Sequence, residues 1–562
     1  MSTASPEILA GDDILKAPAV GKLDEPSPRA SRLWRTLDPA RTPAAAGTAA
    51  PTIYNPLTVL VSDLDGDGKQ AVAALRAAAD VFGWDLVEDP HYLVAPQETD
   101  ATRADRRRRL SCRDGRISLT RLTIVADPKR SISDPDAWKL IQRARQLDDR
   151  TVSGSVGLDH AVMVTPVGID ANPVHGINPV HGINPVHGIN PVHGINPVHG
   201  INPVHGINPF LGVDDSSPIN SYMLAGSGGR QPVKFIGSPP DRGREEGRTH
   251  RRPVIAALDT GCGDHPWLVD VRRHMLDPTG QPIGDTDPNT DPERHPDQFG
   301  PEDGVIDAAA GHGTFIAGVL RQTAPAADII SWRIVGSDGA VVESDLVRAL
   351  DQIATLLETS QARGDGPIID VFSLSLGYYH ETPEDARFDP TMSEMLLRIR
   401  RTGTTVVCSA GNDGTDRPLF PAAFGPWSDG ADVVAQADDA APLISVGARN
   451  PNGTVALFSN TGPWVRCYAP GASIMSTVPP LDGGELPLAR LRRYGLVRES
   501  IDPDNDDSGF GLWSGTSFAA PYVAGRIAQA LEPTLPPPDA AWSGPDIDTA
   551  WSVVAQLTGV SR

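Results

Sequence analysis

What this 562-residue chain lacks narrows it first. Cysteine is scarce: Cys112, Cys262, Cys408 and Cys467 lie far apart, which excludes a disulfide framework and a paired Cys-x-x-Cys metal site and leaves free thiols as the expectation. Basic charge is outweighed, 49 Lys and Arg against 71 Asp and Glu, and a formal net charge of -22 argues against nucleic acid as a partner. The one basic run, Arg106 to Arg109, reads as a solvated loop. No apolar run is long enough to cross a bilayer, and the start of the chain has neither the charged n-region nor the apolar core of a secretory signal. No membrane is therefore expected, and cytoplasm is the default location unless export takes a non-standard route. The 40% of hydrophobic residues suffices for a sizeable core and two or three domains.

Residues 1–56 are rich in Pro, Ala, Ser and Thr without sustained periodicity, and a disordered leader is expected. Strand patterns at Leu57–Val61, Trp84–Val94, Ile117–Val125 and Ala161–Val164 alternate with helix patterns at Lys69–Phe82 and Pro135–Leu147. That order predicts a small α+β ferredoxin-like domain over 57–166. Inside it Asp63-x-Asp65-x-Asp67-Gly68 imitates the start of a calcium loop, but Ala74 at the twelfth position brings no carboxylate, so the segment reads as a polar turn before a helix.

Residues 167–252 read as a linker. Asn-Pro-Val-His-Gly-Ile occurs six times there, placing His175, His181, His187, His193, His199 and His205. Proline and glycine in every unit oppose a helix or an interior strand. In an extended chain these histidines lie on the order of 19 Å apart at about 3.1 Å per residue, too far to share one metal ion without looping. A metal-responsive histidine array is the weaker alternative. Gly226–Arg252 reads as a second flexible stretch.

From 253 to 535 the pattern changes to alternation: strands at Val254–Leu258, Asp328–Val335, Ile368–Leu374, Thr405–Ser409 and Leu443–Val446, and helices at Thr314–Arg321, Ser344–Gln361 and Met392–Arg401. Such alternation predicts a parallel sheet with helices on both faces and functional residues at strand C-terminal ends. A tail with a short helix follows over 536–562.

Three motifs fall at such positions. Asp259-Thr260-Gly261 closes the first strand, Gly311-His312-Gly313-Thr314 opens a helix, and Gly515-Thr516-Ser517-Phe518-Ala519-Ala520-Pro521 opens another. Singly each reads as a turn or a cap. Together they supply what acyl transfer needs: a hydroxyl nucleophile, an imidazole to take and return its proton, and a carboxylate to hold the imidazole tautomer. Ser409-Ala410-Gly411-Asn412 follows a buried strand, so the Asn412 amide is a candidate donor to developing negative charge, a contribution of roughly 3 kcal/mol.

These segments, with His265-Pro266 and Ser373-Leu374-Ser375-Leu376-Gly377, resemble in order the catalytic domain of subtilisin-type serine peptidases, the subtilases. The resemblance covers 253 to about 531 and implies a serine endopeptidase with Asp259, His312 and Ser517 as triad and Asn412 in the oxyanion hole. It further implies that Ser375, Leu376 and Gly377 pair with the substrate main chain as an added strand and that Ser409, Ala410 and Gly411 also bind substrate. No cofactor is expected for the chemistry; structural calcium fits the resemblance, with no ligand set assignable. The expected partner is a protein or peptide, including the chain's own N-terminal segment, since many subtilases carry a ferredoxin-like propeptide. A catalytically silent peptide-binding scaffold is the alternative. Two stretches depart from compact members, Asp285–Asp307 and Gly483–Leu512, and Cys262 stands beside the aspartate motif as either a reagent-sensitive or an inert thiol.

Overall fold

The computed structural model describes residues 34–37, 49–62, 67–89, 119–164, 230–299, 304–381, 390–428, 433–434, 437–484, 487, 489–538, 540 and 544–562. The histidine repeats, Cys112, Asp63, Asp65 and the Arg106–Arg109 run lie outside them.

Period-two patterning in one strand explains the larger layer. In Val254–Asp259 the residues Val254, Ala256 and Leu258 belong to one buried cluster, while Ile255 and Ala257 belong to another. The first cluster includes Leu346, Leu350 and Ile353 of the helix Glu343–Arg363 and Met395 and Ile399 of Pro390–Arg401. The second includes Phe315 and Leu320 of His312–Thr323 and Ala520, Ala524 and Ile527 of Thr516–Leu531. A strand apolar on both faces thus sits between two helical layers.

Seven strands form this sheet in the order Cys467–Pro470, Leu443–Arg449, Thr405–Ser409, Val371–Leu374, Val254–Asp259, Asp328–Arg333 and Arg272–Arg273, every pairing parallel. Strand succession reverses at Val254–Asp259, so its C-terminal end opens onto the crevice where such sheets bind ligands. The tail joins the same unit: in the helix Ile547–Thr558, Trp551 and Val554 pack into the second cluster, and the Trp551 indole N–H donates to the Ala440 carbonyl at 2.9 Å.

The N-terminal sheet runs antiparallel in the order Val156–Met163, Thr52–Ser62, Leu119–Ala126 and Trp84–Glu88, with Arg35–Leu37 paired to the start of Thr52–Ser62. The helices Gly68–Phe82, Ala137–Leu147 and Asp149–Ser155 connect its strands. One face packs on the first two helices through Leu75, Ala78, Leu140 and Ile141. From the other, Leu60, Leu119 and Val162 join the cluster of the larger unit.

Two strand starts differ from the sequence expectation. The first begins at Thr52 rather than Leu57, because the Asn55-Pro56 interruption is absorbed by a register shift between Tyr54 and Val59, with the Asn55 side-chain Oδ1 accepting the Leu57 N–H at 2.9 Å. The last begins at Val156 rather than Ala161, because Asp159 and His160, polar in the sequence, are fully buried there.

Residues 230–252, expected to be flexible, are held against the larger unit. Gln231–Pro232 pairs with Phe510–Trp513, Arg230 is buried and donates to the Ala310 carbonyl, and Arg251 grips both oxygens of Asp370 at 2.6 and 2.7 Å. Arginines that looked like linker polarity are anchors. Among the described residues no helix is long and apolar enough to cross a membrane.

Candidate active site

Asp259 is the last residue of its strand and is buried. His312 is the first residue of its helix, entered through Gly311 at φ 81°. The helix start abuts the strand end because residue 313 has no side chain: a Cβ on Gly313 would lie 2.1 Å from the Gly261 carbonyl oxygen. This close approach lets the His312 Nδ1–H donate to Asp259 Oδ1 at 2.7 Å, and the same oxygen accepts the Thr260 N–H at 2.8 Å. The imidazole meets Trp513 edge-on at 5.5 Å and Phe518 at 5.3 Å, an apolar wall that excludes water from the pair.

Ser517 is the second residue of Thr516–Leu531 and is 3% exposed. Pro521 sits four residues on, inside the helix, where its missing N–H removes the bond that would engage the Ser517 carbonyl. Ser375 Oγ–H donates to that freed carbonyl at 2.9 Å, tying the Ser375–Gly377 segment to the helix start. Proline is therefore part of the site's wiring rather than a tolerated neighbour.

Asn412 is oriented by Thr516, the motif residue just before Ser517. Asn412 Oδ1 accepts from the Thr516 N–H at 2.8 Å and its hydroxyl at 2.9 Å, and that hydroxyl accepts the Gly411 N–H at 3.0 Å. With its oxygen so engaged, the Asn412 amide nitrogen is turned to the other side.

The N-terminal sheet enters this crevice. Ala161–Met163 pairs with Ala340–Val342, Met163 exchanges both main-chain bonds with Gly377 at 2.8 and 2.9 Å, and the Val164 N–H donates to the Gly339 carbonyl at 2.9 Å. The Ser517 hydroxyl then donates to the Val164 carbonyl at 3.4 Å. Val164, Ser375, Gly377, Ser409, Gly411, Asn412 and Ser517 line one cavity, while the side chains of Leu376 and Ala410 pack into the core.

Other groups follow from burial. The Cys262 thiol is pushed up to about 12 by burial, so it is the inert thiol of the two readings. His265 is pushed down to about 4, also by burial, and its Nδ1 accepts the Trp267 N–H at 3.1 Å, making a neutral turn cap. Burial raises Glu293 to about 7 against the hydrogen bonds of Thr260 and Thr314. In the acidic stretch, Asp285, Asp287 and Asp291 accept N–H groups two residues on, at 2.9, 3.0 and 3.1 Å, so these carboxylates build turns. Among the described residues no three His, Cys, Asp or Glu side chains converge to hold a metal ion.

A model of the subtilase family matches residues 250–547. An intracellular serine protease of Paenibacillus polymyxa is 27% identical over 311 residues, 53% of this chain and 71% of that protein. The major intracellular serine protease of Bacillus subtilis (strain 168) is 26% identical over 289 residues, 49% of this chain and 66% of that protein. A crystal structure of a cold adapted subtilisin-like serine proteinase aligns at 20% identity and a TM-score of 0.30, over 56% of this chain and 86% of that one. With the family model spanning more than half of its length, the chain belongs to the subtilase family.

Proposed function

We propose that the chain is a serine endopeptidase that cleaves peptide bonds through an acyl-enzyme on Ser517. His312 takes the hydroxyl proton as general base and returns it to the leaving amine; Asp259 holds the imidazole tautomer and stabilises its cation. Asn412 donates its amide to the oxyanion. No step requires a cofactor. The observation that carries this reading is a main-chain strand, Ala161–Val164, hydrogen-bonded on both sides in the crevice with its Val164 carbonyl at the Ser517 hydroxyl. That is how a substrate would lie.

The same strand makes residues 57–166 a propeptide-like domain that occupies the crevice, and the Val164–Thr165 bond the first substrate. Proteins or peptides follow in trans, in the cytoplasm, as the names of the two intracellular relatives suggest. The full-length protein and its Ser517→Ala variant are compared by fluorophosphonate labelling and by mass mapping of the chain. A Ser517 adduct and a Ser517-dependent cut after Val164 are expected. Absence of any adduct in folded protein leaves a silent peptide-binding scaffold; a cut that persists in the variant removes the propeptide reading alone.

A further inference from the structure

Glu293 belongs to none of the motifs above, yet its buried carboxyl lies between the strand end that carries Asp259 and the helix start that carries His312. Oε1 accepts the Thr260 hydroxyl at 2.5 Å and the Gly313 N–H at 3.2 Å, and Oε2 accepts the Thr314 hydroxyl. Each hydroxyl already accepts a backbone N–H, Thr260 from Gly313 at 2.7 Å and Thr314 from Gly263 at 2.6 Å, so each has its proton to donate; that of Thr260 lies closest to Glu293 and is shared with Asp259 Oδ1 at 3.2 Å. Three donors converge on Glu293, an arrangement built for the anion.

The loop that delivers it is itself fixed. The buried Arg333, at the end of Asp328–Arg333, donates to the carbonyls of Asp287 and Thr290 at 2.6 Å each and pairs with Asp285 at 3.0 Å. The Asp291 carboxylate then turns the chain into Glu293. An insertion that reads as a surface feature in the sequence reaches the back of the site.

We propose that Glu293 is a positioning residue for the Asp259–His312 pair. As an anion it clamps the strand end to the helix start and places a second negative charge behind the imidazole, favouring the imidazolium that forms during proton transfer. The charged and titratable groups around it are Asp259 and His312 in front, Asp291 on its own loop, Arg230 and Cys262. Burial raises the Glu293 carboxyl to about 7 against the hydrogen bonds of Thr260 and Thr314, so its charge changes within the working pH range. This inference rests on the peptidase reading.

The test is the pH profile of peptide hydrolysis by the full-length protein and its Glu293→Gln variant, with rates normalised to Ser517 sites titrated by fluorophosphonate. Loss of the charge is expected to lower kcat about tenfold with KM nearly unchanged. It is also expected to move the acid limb of kcat/KM down by about half a unit to one unit, because an imidazolium with one fewer anion behind it loses its proton more easily. Thr314→Val, which removes one donor to the carboxylate, is expected to shift the limb the same way by less, and it decides the matter if Glu293→Gln does not fold. An acid limb that stays in place, in Glu293→Gln or, failing that variant, in Thr314→Val, reduces Glu293 to a structural residue and overturns the proposal, whatever happens to kcat or to thermal stability. Wild-type protein that neither hydrolyses peptide nor takes the label removes the peptidase reading and this inference with it; a labelled, active wild type beside unchanged variants removes this inference alone.

Discussion

His312 and His160 are both buried imidazoles held by carboxylates, and they are held in opposite ways. His312 has Asp259 on Nδ1 at 2.7 Å and aromatic rings around the rest of the ring. His160 has a glutamate on each nitrogen, Glu343 at 2.7 Å on Nδ1 and Glu381 at 3.0 Å on Nε2, and stacks on Tyr378 at 4.8 Å. A ring with one engaged nitrogen can pass a proton through the other; a ring with both nitrogens on carboxylates is a fastener. His160 comes from the N-terminal sheet and both glutamates from the subtilase unit, so the fastener crosses the boundary between them. Next to it, Asp159 accepts the Ser344 N–H at 3.0 Å and the Ser344 hydroxyl at 3.1 Å, at the start of Glu343–Arg363. The same pair of chemical groups, imidazole and carboxylate, is left one free nitrogen at the proposed active site and none at the contact between the two units, because of how many nitrogens are committed.

The largest way to break this contrast is at the site. Ser517→Ala or His312→Ala is expected to reduce kcat by roughly a million-fold, since groups that act as a unit fail together; a chromogenic peptide assay that finds only a modest loss in either variant contradicts the assigned roles. Next, Asn412→Ala is expected to cost about a hundred- to a thousand-fold in kcat with little change in KM. An effect confined to KM would mean that Asn412 binds the substrate without stabilising the oxyanion.

At the fastener, His160→Ala takes from the buried Glu343 and Glu381 the imidazole that bonds them both, at about 3–5 kcal/mol. The expected outcome is a weakened hold of the N-terminal sheet, read as faster exchange of the Val156–Met163 amides and higher activity toward peptide in trans. Unchanged exchange would show that the imidazole is only filling space. Burial works to raise the Glu381 carboxyl, but the His160 hydrogen bond and charge outweigh it and leave the group below its ordinary value. A lowered carboxylate stabilises the fold above its unfolded value and loses that contribution as pH falls through the folded one. Docking is therefore expected to loosen in acid.

The smallest effect sharpens the comparison by running the other way. Asp413 is raised to about 6 by burial, against the Tyr379 hydrogen bond and the Arg417 charge. A raised carboxyl contributes stability that is complete below its unfolded value near 4 and is lost as pH rises through about 6. Asp413→Asn is expected to flatten the thermal-unfolding profile across that window by on the order of 3 kcal/mol. A profile that keeps its slope places the titration elsewhere.

Much of the larger unit was legible because each local signal agrees with the sheet. Short apolar runs bounded by Gly and Asp marked the buried strands, and helices came out within a few residues of their observed ends. Asp259, His312, Asn412 and Ser517 were legible because motif glycines and helix starts announce where backbones approach closely. Glu293 was not: it lies in an acidic, proline-rich stretch whose period resembles nothing, and distant partners, Arg333 on its loop and Thr260 and Thr314 on its carboxylate, hold it at the site. Thr516 and Pro521 were in plain view, but their roles depend on partners more than a hundred residues away in the chain.

The sequence by itself determined the alternating α/β architecture and the cast of the site, because period, glycine placement and residue chemistry are local properties. Outside the site motifs it left open which polar residues are buried and what they do there. Arg230, Asp159, His160 and Glu293 all look like surface residues in a row of letters. Tertiary structure decided that one of them anchors a supposed linker, two dock a sheet in the crevice and one stands behind the imidazole, since a buried charge is tolerable only where distant segments bring it partners.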